Sequence, residues 1–378
     1  VNMTSEEAGN LWRTNEFPVY RGLFYFVFWM WCWGVSLEVW QSTRINYLYM
    51  LELDPRSSQE STDMYEVAAR HTIVIISLFL LHFKMMSNSI GLDDSFFKHP
   101  GYVTFALVLY CLWHVVRSCF QKQQRENWRI VFHTATPCCR NVTFMMNFAG
   151  DVLTSMTKPM VDLTYVVCYT FTGMWKNHGL ERHNVCHQNY LYNNFTRLLL
   201  VTPYFIRFCQ QVRRFVDEDW NLRVWKSRNI ANALKYASGL VVQLFAIYSA
   251  IANRPFDNIG DTVWIFSLCV ATLYFFYWDL FQDWSMFSGN GCELRHNRMY
   301  TRPCVYYLAA AVDFTLRFFW ISTLLPNIGF IEDNPITVYR LGWVSSLAPG
   351  LEIIRRTMWS FIRLENEHLN NTAGYRRV

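Results

Sequence analysis

The chain contains apolar runs that are too long and too numerous for the core of a water-soluble domain. The first, residues 22–40, is dense in Phe, Trp and Val, and about 20 helical residues suffice to cross the hydrocarbon of a bilayer. Further apolar runs follow at 45–53, 72–86, 102–119, 142–175, 198–209, 230–251, 263–281, 304–325 and 338–362. The pattern predicts an all-α polytopic membrane protein with about ten transmembrane helices.

Composition agrees with a membrane protein and argues against several other classes. Only 17% of the residues are charged and 52% are hydrophobic, whereas a soluble domain carries about a quarter charged residues. The net charge of +5 is small and no tract interleaves basic with aromatic residues, so no nucleic-acid partner is expected. The 11 cysteines include no C-x-x-C pair, so the sequence predicts no zinc site, and it calls for no cofactor.

Basic residues predict which side of the membrane each loop faces, because cytoplasmic loops are enriched in Lys and Arg. Basic connections occur at 122–140, 213–228 and 295–302, and in the tail at 376–377. They share one side if the short run 45–53 contributes a second crossing. This topology places both the N- and the C-terminus in the cytoplasm.

The loop 176–193 then faces outside and carries Cys186, while Cys168 lies near the outer end of the preceding helix. An oxidising compartment would permit a disulfide between these two cysteines, and two free thiols are the alternative.

Charged residues lie inside the apolar runs of the second half of the chain, although charge within a membrane is costly and usually marks a pathway or a pair. Asp151 and Asp162 are separated by three helical turns of the fifth run and are predicted to share a face. The other candidates are Arg207, Lys235, Tyr236, the pairs Asp279/Asp283 and Asp313/Arg317, each one turn apart, and Glu352, Arg355 and Arg356.

One buried ion pair could be structural, but five or six helices that each bring charge predict a shared aqueous cavity. Arg and Lys suit a small oxyanion, because Arg binds phosphate bidentately and Lys acts as a point charge. A carboxylate can accept a hydrogen bond from a protonated phosphate oxygen, orient an Arg, or keep anion binding weak enough for release.

Trp320 follows Arg317 by three positions, so the two side chains are predicted to share a helix face. An indole on the outer side of an anion site could close it. A lipid-facing Trp at the membrane interface is the alternative.

The C-terminal run 352–371, EIIRRTMWSFIRLENEHLNN, resembles the ending of EXS domains. Further segments resemble the family in the same order, at 20–22, 53–56, 150–165, 203–214, 232–236, 278–284 and 313–320. The chain is thus similar to the transmembrane domain of the SPX-EXS family, the phosphate exporters of the xenotropic and polytropic retrovirus receptor type.

This resemblance implies that the last six helices form a path for inorganic phosphate. It divides the chain into 1–140, with the first four helices, and 141–378, an EXS transport core with a cytoplasmic tail. With the buried charges, it implies that phosphate is held by basic and tyrosine side chains, tuned by acidic ones, with a gate at Trp320. The holding residues are Arg207, Lys235, Tyr236, Arg317, Arg355 and Arg356, and the tuning residues are Asp151, Asp279, Asp283 and Glu352.

The family's exporters also carry an N-terminal SPX domain that senses inositol pyrophosphates. No such domain is present here, and because the chain begins at Val1 rather than Met, we expect an N-terminal part to precede it. We expect an integral protein of the plasma membrane, or alternatively of the Golgi membrane, with phosphate and membrane lipids as partners. A homodimer is left open.

Two rival classes stay open beside a transporter without covalent chemistry. Asp279 and Asp283 could hold Mg²⁺ in a membrane phosphotransferase, although the Asp-Gly and Ala-Arg elements of that motif are absent. In a non-transporting receptor or scaffold, the buried charges would only hold the helices together.

Overall fold

The computed structural model describes residues 17–55, 60–86, 100–121, 124–176, 185–220, 224–252, 259–287, 293–324 and 335–375. Regular secondary structure in these ranges is helical, with one isolated bridge between Phe287 and Leu294. The prediction of an all-α protein is confirmed.

The described ranges contain fourteen α-helices. They are α1 (Phe17–Ser42), α2 (Tyr47–Met50), α3 (Ser61–Met86), α4 (Gly101–Phe120), α5 (Arg125–Ala135), α6 (Phe144–Ser155), α7 (Thr157–Phe171), α8 (Val185–Gln188), α9 (Tyr190–Glu218), α10 (Arg228–Ala252), α11 (Ile259–Trp278), α12 (Cys304–Arg317), α13 (Ile321–Leu324) and α14 (Pro335–Tyr375). A π-helical turn, Asp279–Asp283, continues α11.

Five helices of the described ranges are long and apolar enough to cross a membrane: Phe17–Ser42, Ser61–Met85, Gly101–Phe120, Arg228–Tyr248 and Thr262–Asp283. The count of ten spans stays a prediction. Its second span is not a helical crossing, because the run 45–53 contains only the four-residue α2, about 6 Å long at 1.5 Å per residue.

Two apolar runs that read as single helices are interrupted. The run 142–175 divides at Met156 into α6 and α7, where Pro159 lies in the first turn of α7 and has no N–H to donate. Asp151 and Asp162 therefore lie on different helices, and the prediction that they share one helix face is wrong. The run 304–325 breaks after Arg317.

The described residues of 1–31, 62–128 and 156–200 form one compact unit. Within it α1 runs antiparallel to α3, since Tyr20 packs against His82 while Trp31 donates to Thr72 at 3.0 Å. The Tyr20 hydroxyl also lies 3.3 Å from Thr104 Oγ1, near the start of α4. The beginning of α1, the end of α3 and the beginning of α4 are therefore at the same end of this unit.

A partly buried ion pair connects α1 to α7 in this unit. Arg21 donates to both oxygens of Asp162, at 2.8 and 2.5 Å. Gly22 allows the close approach, because a Cβ at this position would lie 2.9 Å from Asp162 Cβ.

Cys168 and Cys186 are joined by a disulfide bond in the same unit. Both belong to a buried cluster that also contains Val19 and Tyr20 from the first turn of α1. The Phe17 end of α1 thus lies at the same end of the unit as the disulfide. The sequence-based topology placed these two features on opposite sides of the membrane.

The described residues of 32–61, 129–155 and 201–378 form the second unit, which holds every predicted phosphate-binding residue. Aromatic rings pack from α1 to α14 through Trp40, Phe148 and Trp359, with ring centroids 6.3 and 5.7 Å apart. Trp40 and Trp359 are wholly buried. This packing fixes α6 and α14 against each other beside the charged residues described next.

Candidate anion-binding site

A cavity of about 440 Å³ lies in the second unit, among the ends of α6, α9, α10 and α11 and the last turns of α14. It extends from the partly exposed Arg214 and Glu218 to the buried Asp151 and Arg207. Its charged lining has both signs: Arg207, Arg214, Arg228 and Arg363 against Asp151, Glu218, Asp219, Asp283 and Glu367. A cavity of this kind can hold a small ion in water.

Arg207, on α9, is the centre of a first group of buried side chains. Its Nη2 atom donates to Asp151 Oδ2 at 3.1 Å and to the Tyr236 hydroxyl at 2.9 Å. The Tyr236 hydroxyl donates to the other oxygen of Asp151. The Nη1 atom of Arg207 donates to side-chain oxygens of Asn147 at 2.7 Å and Gln210 at 2.5 Å. Three predicted residues from α6, α9 and α10 are thus brought into direct contact.

A second group joins the π turn to α12 and α14. Asp279 accepts from Arg317 Nη2 and lies 3.6 Å from Arg355 Nη1. Asp313, wholly buried, accepts from Arg317 Nε at 3.0 Å and from Arg355 Nη1 at 2.8 Å. Glu352, one turn before Arg355, accepts from that guanidinium at 2.7 and 2.6 Å. Two arginines therefore share three carboxylates.

Arg356 lies beside the second group and is held by hydroxyl groups. Its Nε atom donates to Ser155 Oγ at 2.8 Å, and its Nη2 atom lies 3.4 Å from Thr154 Oγ1. Ser155 Oγ donates to Glu352 Oε1 at 2.6 Å. The Cζ atom of Arg356 lies 4.6 Å from the ring centroid of Trp359.

Lys235 is surrounded by aromatic rings. Its Nζ atom lies 4.4 Å from the ring centroid of Tyr236, 5.2 Å from that of Phe275 and 5.1 Å from that of Trp278. The residue is only 2% exposed. Within the part of the chain that the structure describes, neither Lys235 nor Arg356 forms an ion pair with a carboxylate oxygen within 4.0 Å.

The positions of these two cations relate them to the cavity. Trp278 and Trp359 line the cavity, and each ring carries one of the cations against it. Asp283, Asp151 and Asp279 interact electrostatically with Lys235, and Asp151 and Asp279 also interact with Arg356.

Asp279 and Asp283 lie on the π turn, in which Trp284 N donates to Asp279 O at 2.9 Å, five residues back. The two carboxylates therefore lie on a π-helical turn, which is one residue wider than the α-helical turn expected from the sequence. The two carboxylates have different partners. Asp279 contacts Arg317, whereas Asp283 Oδ1 lies 3.7 Å from Arg363 Nε.

Trp320 lies beyond the end of α12, in the turn that separates it from α13. The helix that should have carried Arg317 and Trp320 on one face stops between them. The indole is nevertheless directed towards α11, since its Nε1 atom donates to Thr272 Oγ1 at 3.2 Å. Thr272 precedes Asp279 by seven residues on α11, which corresponds to about 10 Å along the helix axis.

Sequence reasoning missed the neutral polar members of the site. Asn147 precedes Asp151 by four positions and Ser155 follows it by four, so all three lie on one face of α6. Gln210 likewise follows Arg207 by three positions on α9. Polar residues at helical spacing from a buried charge were the signal that could have found them.

Apolar helices enclosing a set of ion-paired charges define a polytopic α-helical membrane protein with a charged interior. The chain belongs to the EXS family, which matches residues 16–369.

Similar proteins come from distant organisms. The chain is 30% identical over 369 residues to SPX and EXS domain-containing protein 1 of Dictyostelium discoideum, covering 95% of this chain and 37% of the relative. It is 28% identical over 359 residues to phosphate transporter PHO1 of Arabidopsis thaliana, covering 92% and 42%. It is 28% identical over 385 residues to human solute carrier family 53 member 1, covering 95% and 51%. The chain thus spans about half the length, or less, of these relatives.

Proposed function

We propose that this chain is the membrane domain of a phosphate exporter, and that phosphate binds beside Lys235 and Arg356. One relative is named a phosphate transporter, which supports transport of this anion, and another is named a solute carrier, which supports transport. The observation that carries the proposal is that these two buried cations have no carboxylate partner among the described residues, while the neighbouring arginines do.

The cost of an unpaired buried charge makes this arrangement informative. Burying a lone ion costs several kcal/mol or more, so an unpaired buried cation is retained only where something else compensates it. Aromatic faces supply part of the compensation, about 0.5–2 kcal/mol per contact. The hydroxyl groups beside Arg356 and the nearby carboxylates supply a further part. Phosphate would supply the rest, through a point-charge contact to Lys235 and a bidentate contact to Arg356.

Charge balance in the site favours transport over tight binding. The candidate cations Arg207, Lys235, Arg317, Arg355 and Arg356 equal in number the carboxylates Asp151, Asp279, Asp283, Asp313 and Glu352. Bound phosphate adds negative charge to a set that is already neutral. The anion is therefore held weakly enough to leave, which conduction requires.

Phosphate would enter through the cavity and pass Trp278 and Trp359 to reach Lys235 and Arg356. Trp320 would close the site on the far side, since it bonds to α11 about 10 Å beyond Asp279. In this proposal Tyr236 and Asp151 hold Arg207 at the inner end of the cavity, and Arg317 and Arg355 brace the π turn.

We also propose a topology that differs from the sequence-based one. The Phe17 end of α1 lies with the disulfide, and the basic connection after Phe120 lies at the opposite end of the same unit. Positive residues mark the cytoplasmic side, so the Phe17 end faces outside. If each apolar run of the sequence crosses once and the short run 45–53 does not, there are nine crossings, and an odd number returns the C-terminal tail to the cytoplasm.

The regulatory part of the proposal concerns a longer protein. A relative named for SPX and EXS domains extends well beyond this chain. An SPX domain that binds inositol pyrophosphates would then regulate the exporter, in the plasma membrane or the Golgi membrane.

The magnesium phosphotransferase has weaker support. The Asp279 carboxylate already accepts from Arg317 and lies beside Arg355, and Mg²⁺ would have to compete with both cations. A phosphotransferase would show Mg²⁺-dependent turnover.

Phosphate efflux from proteoliposomes tests the proposed function. Purified full chain in vesicles loaded with labelled phosphate should release it faster than vesicles with heat-denatured protein. Vesicles loaded with labelled glucose report leakage. Phosphate release no faster than from the control vesicles, across several lipid compositions, would refute the proposal.

A further inference from the structure

The backbone that follows the π turn has an unfavourable conformation. Ser285 has a φ of 42°, in the left-handed region that a side chain other than glycine rarely adopts. Such a conformation persists only where surrounding contacts hold it. Ser285 lies two residues after Asp283, the last residue of the π turn, so contacts that hold Ser285 also restrain the turn that carries Asp279 and Asp283.

Asn366, on α14, supplies the direct contacts. Its Nδ2 atom donates to Asp283 O at 3.0 Å and to Ser285 Oγ at 3.2 Å. Its Oδ1 atom accepts from Arg295 Nη1 at 2.8 Å, and the same Nη1 atom donates to Trp284 O at 2.8 Å. Asn366 is buried, so removing its amide would take a hydrogen-bond partner from each of these groups.

Glu365, the preceding residue, fixes the other side of Arg295. This carboxylate is wholly buried and accepts from Arg295 Nη2 at 2.6 Å, from Met299 N at 2.5 Å and from the Tyr306 hydroxyl at 2.5 Å. The Tyr300 hydroxyl donates to Phe361 O at 3.4 Å. Burial raises the pKa of Tyr300, and the nearby Glu365 raises it further. The segment after the π turn is thus fastened to α14 at several points.

We propose that Glu365 and Asn366 are positioning residues that hold the π turn through Arg295 and Ser285, so that the end of α14 sets the position of Asp279 and Asp283 in the anion site. We call Arg295, Glu365 and Asn366 the tail latch. The inference rests on the proposed phosphate transport for its functional consequence, but the hold on the π turn is a separate physical claim.

The consequence is coupling between the tail and the site. Asp279 pairs with Arg317, and Asp283 lies beside Arg363, so a shift of the π turn changes the charge facing the phosphate. A force or a partner that moves the end of α14 would open the tail latch and change phosphate affinity by shifting the π turn.

The variant Asn366→Ala tests the tail latch, with hydrogen exchange of the segment 279–287 as a readout that needs no transport. The amides of Trp284 and Met286, which bond to Asp279 O and Leu280 O, should exchange about tenfold faster once the latch is lost. In vesicles the half-saturating phosphate concentration should rise about fivefold or more, with little change in maximal flux. The control Asn371→Ala removes a matching amide from the same helix, where it contacts Met50 and Glu367, and should change neither.

Adding Ser285→Gly to Asn366→Ala separates positioning from general stability. Glycine adopts a positive φ without strain, so the double variant should recover exchange rate and half-saturation to within about twofold of wild type. Recovery supports the tail latch. The tail latch is overturned if Asn366→Ala leaves hydrogen exchange at 279–287 unchanged. It is also overturned if exchange rises equally along all of α11 to α14 and Ser285→Gly does not lower it again. If the wild type transports no phosphate, the proposed function fails, and the exchange results alone decide the tail latch by the same criteria.

Discussion

Arg355 donates to Asp313 at 2.8 Å, across 42 positions of sequence and between two helices, and both side chains are buried. Asp313 also accepts from Arg317, so one carboxylate balances two guanidinium groups. Removing it would leave two buried cations short of a partner. We therefore expect the stability of the protein to depend on the Asp313 carboxylate.

Asp313→Ala should destabilise the protein by about 3–5 kcal/mol, as for other broken buried pairs, and Asp313→Asn should cost less because the amide oxygen still accepts a hydrogen bond. Thermal unfolding in detergent measures both. The control Asp217→Ala breaks the more exposed pair with Arg213 and should cost about 1 kcal/mol or less. If Asp313→Ala unfolds at the wild-type temperature, Asp313 does not carry the charge balance described here.

Gly150→Ala should distort the Arg207 group. A Cβ at Gly150 would lie 2.5 Å from Arg207 Cδ and 2.8 Å from Gln210 Oε1, so the Arg207 and Gln210 side chains must shift. We expect a loss of about 1–3 kcal/mol in stability, typical of overpacking, and lower phosphate flux. Gly260→Ala is the matched control, since nothing lies within 4 Å of its added Cβ. Equal behaviour of the two variants would contradict the close contact.

Apolar runs predicted the helices well, because a membrane leaves the chain few alternatives. They did not reveal the break at Met156 or the one after Arg317, since a helix that stops within an apolar run shows no change in composition. Pro159 was the one local signal of the first break. The error in pairing Asp151 with Asp162 on one face followed directly from that missed break.

The candidate site was accessible from the sequence only as a list of charges. Which carboxylate meets which guanidinium depends on packing between helices far apart in sequence, such as Asp151 with Arg207. The proposed orientation of α1 differs from the sequence-based one for a similar reason. The run 45–53 was counted as a crossing to keep the basic loops on one side, whereas the chain there forms one short helical turn.

Trp320→Ala should raise phosphate efflux per molecule if the indole closes the site. The variant loses both the ring and its hydrogen bond to Thr272. Efflux normalised to the amount of protein in the vesicles is the measurement, and Trp220→Ala, an exposed Trp outside the site, is the control. A normalised efflux at or below wild type would remove the gate from the proposal.

The proposed topology predicts opposite labelling of two engineered cysteines in a background without the exposed native ones. Pro18→Cys, at the start of α1, should react with a membrane-impermeant maleimide added outside intact cells. Gln121→Cys, just past α4, should react only after permeabilisation. The reverse pattern would restore the sequence-based orientation of α1.

The central claim is that Lys235 and Arg356 hold the transported phosphate. The most direct measurement is the efflux of labelled phosphate from proteoliposomes that contain Lys235→Ala or Arg356→Ala. Each variant must reconstitute in the same amount as the wild type and unfold at the same temperature. The control is Arg213→Ala, which loses an exposed ion pair. Each site variant loses one charge-assisted contact with phosphate, which is about 1.5–3 kcal/mol of binding free energy. Site occupancy, and with it efflux at low phosphate concentration, should therefore fall at least tenfold. The control should transport like the wild type. Wild-type efflux from both Lys235→Ala and Arg356→Ala would contradict the account.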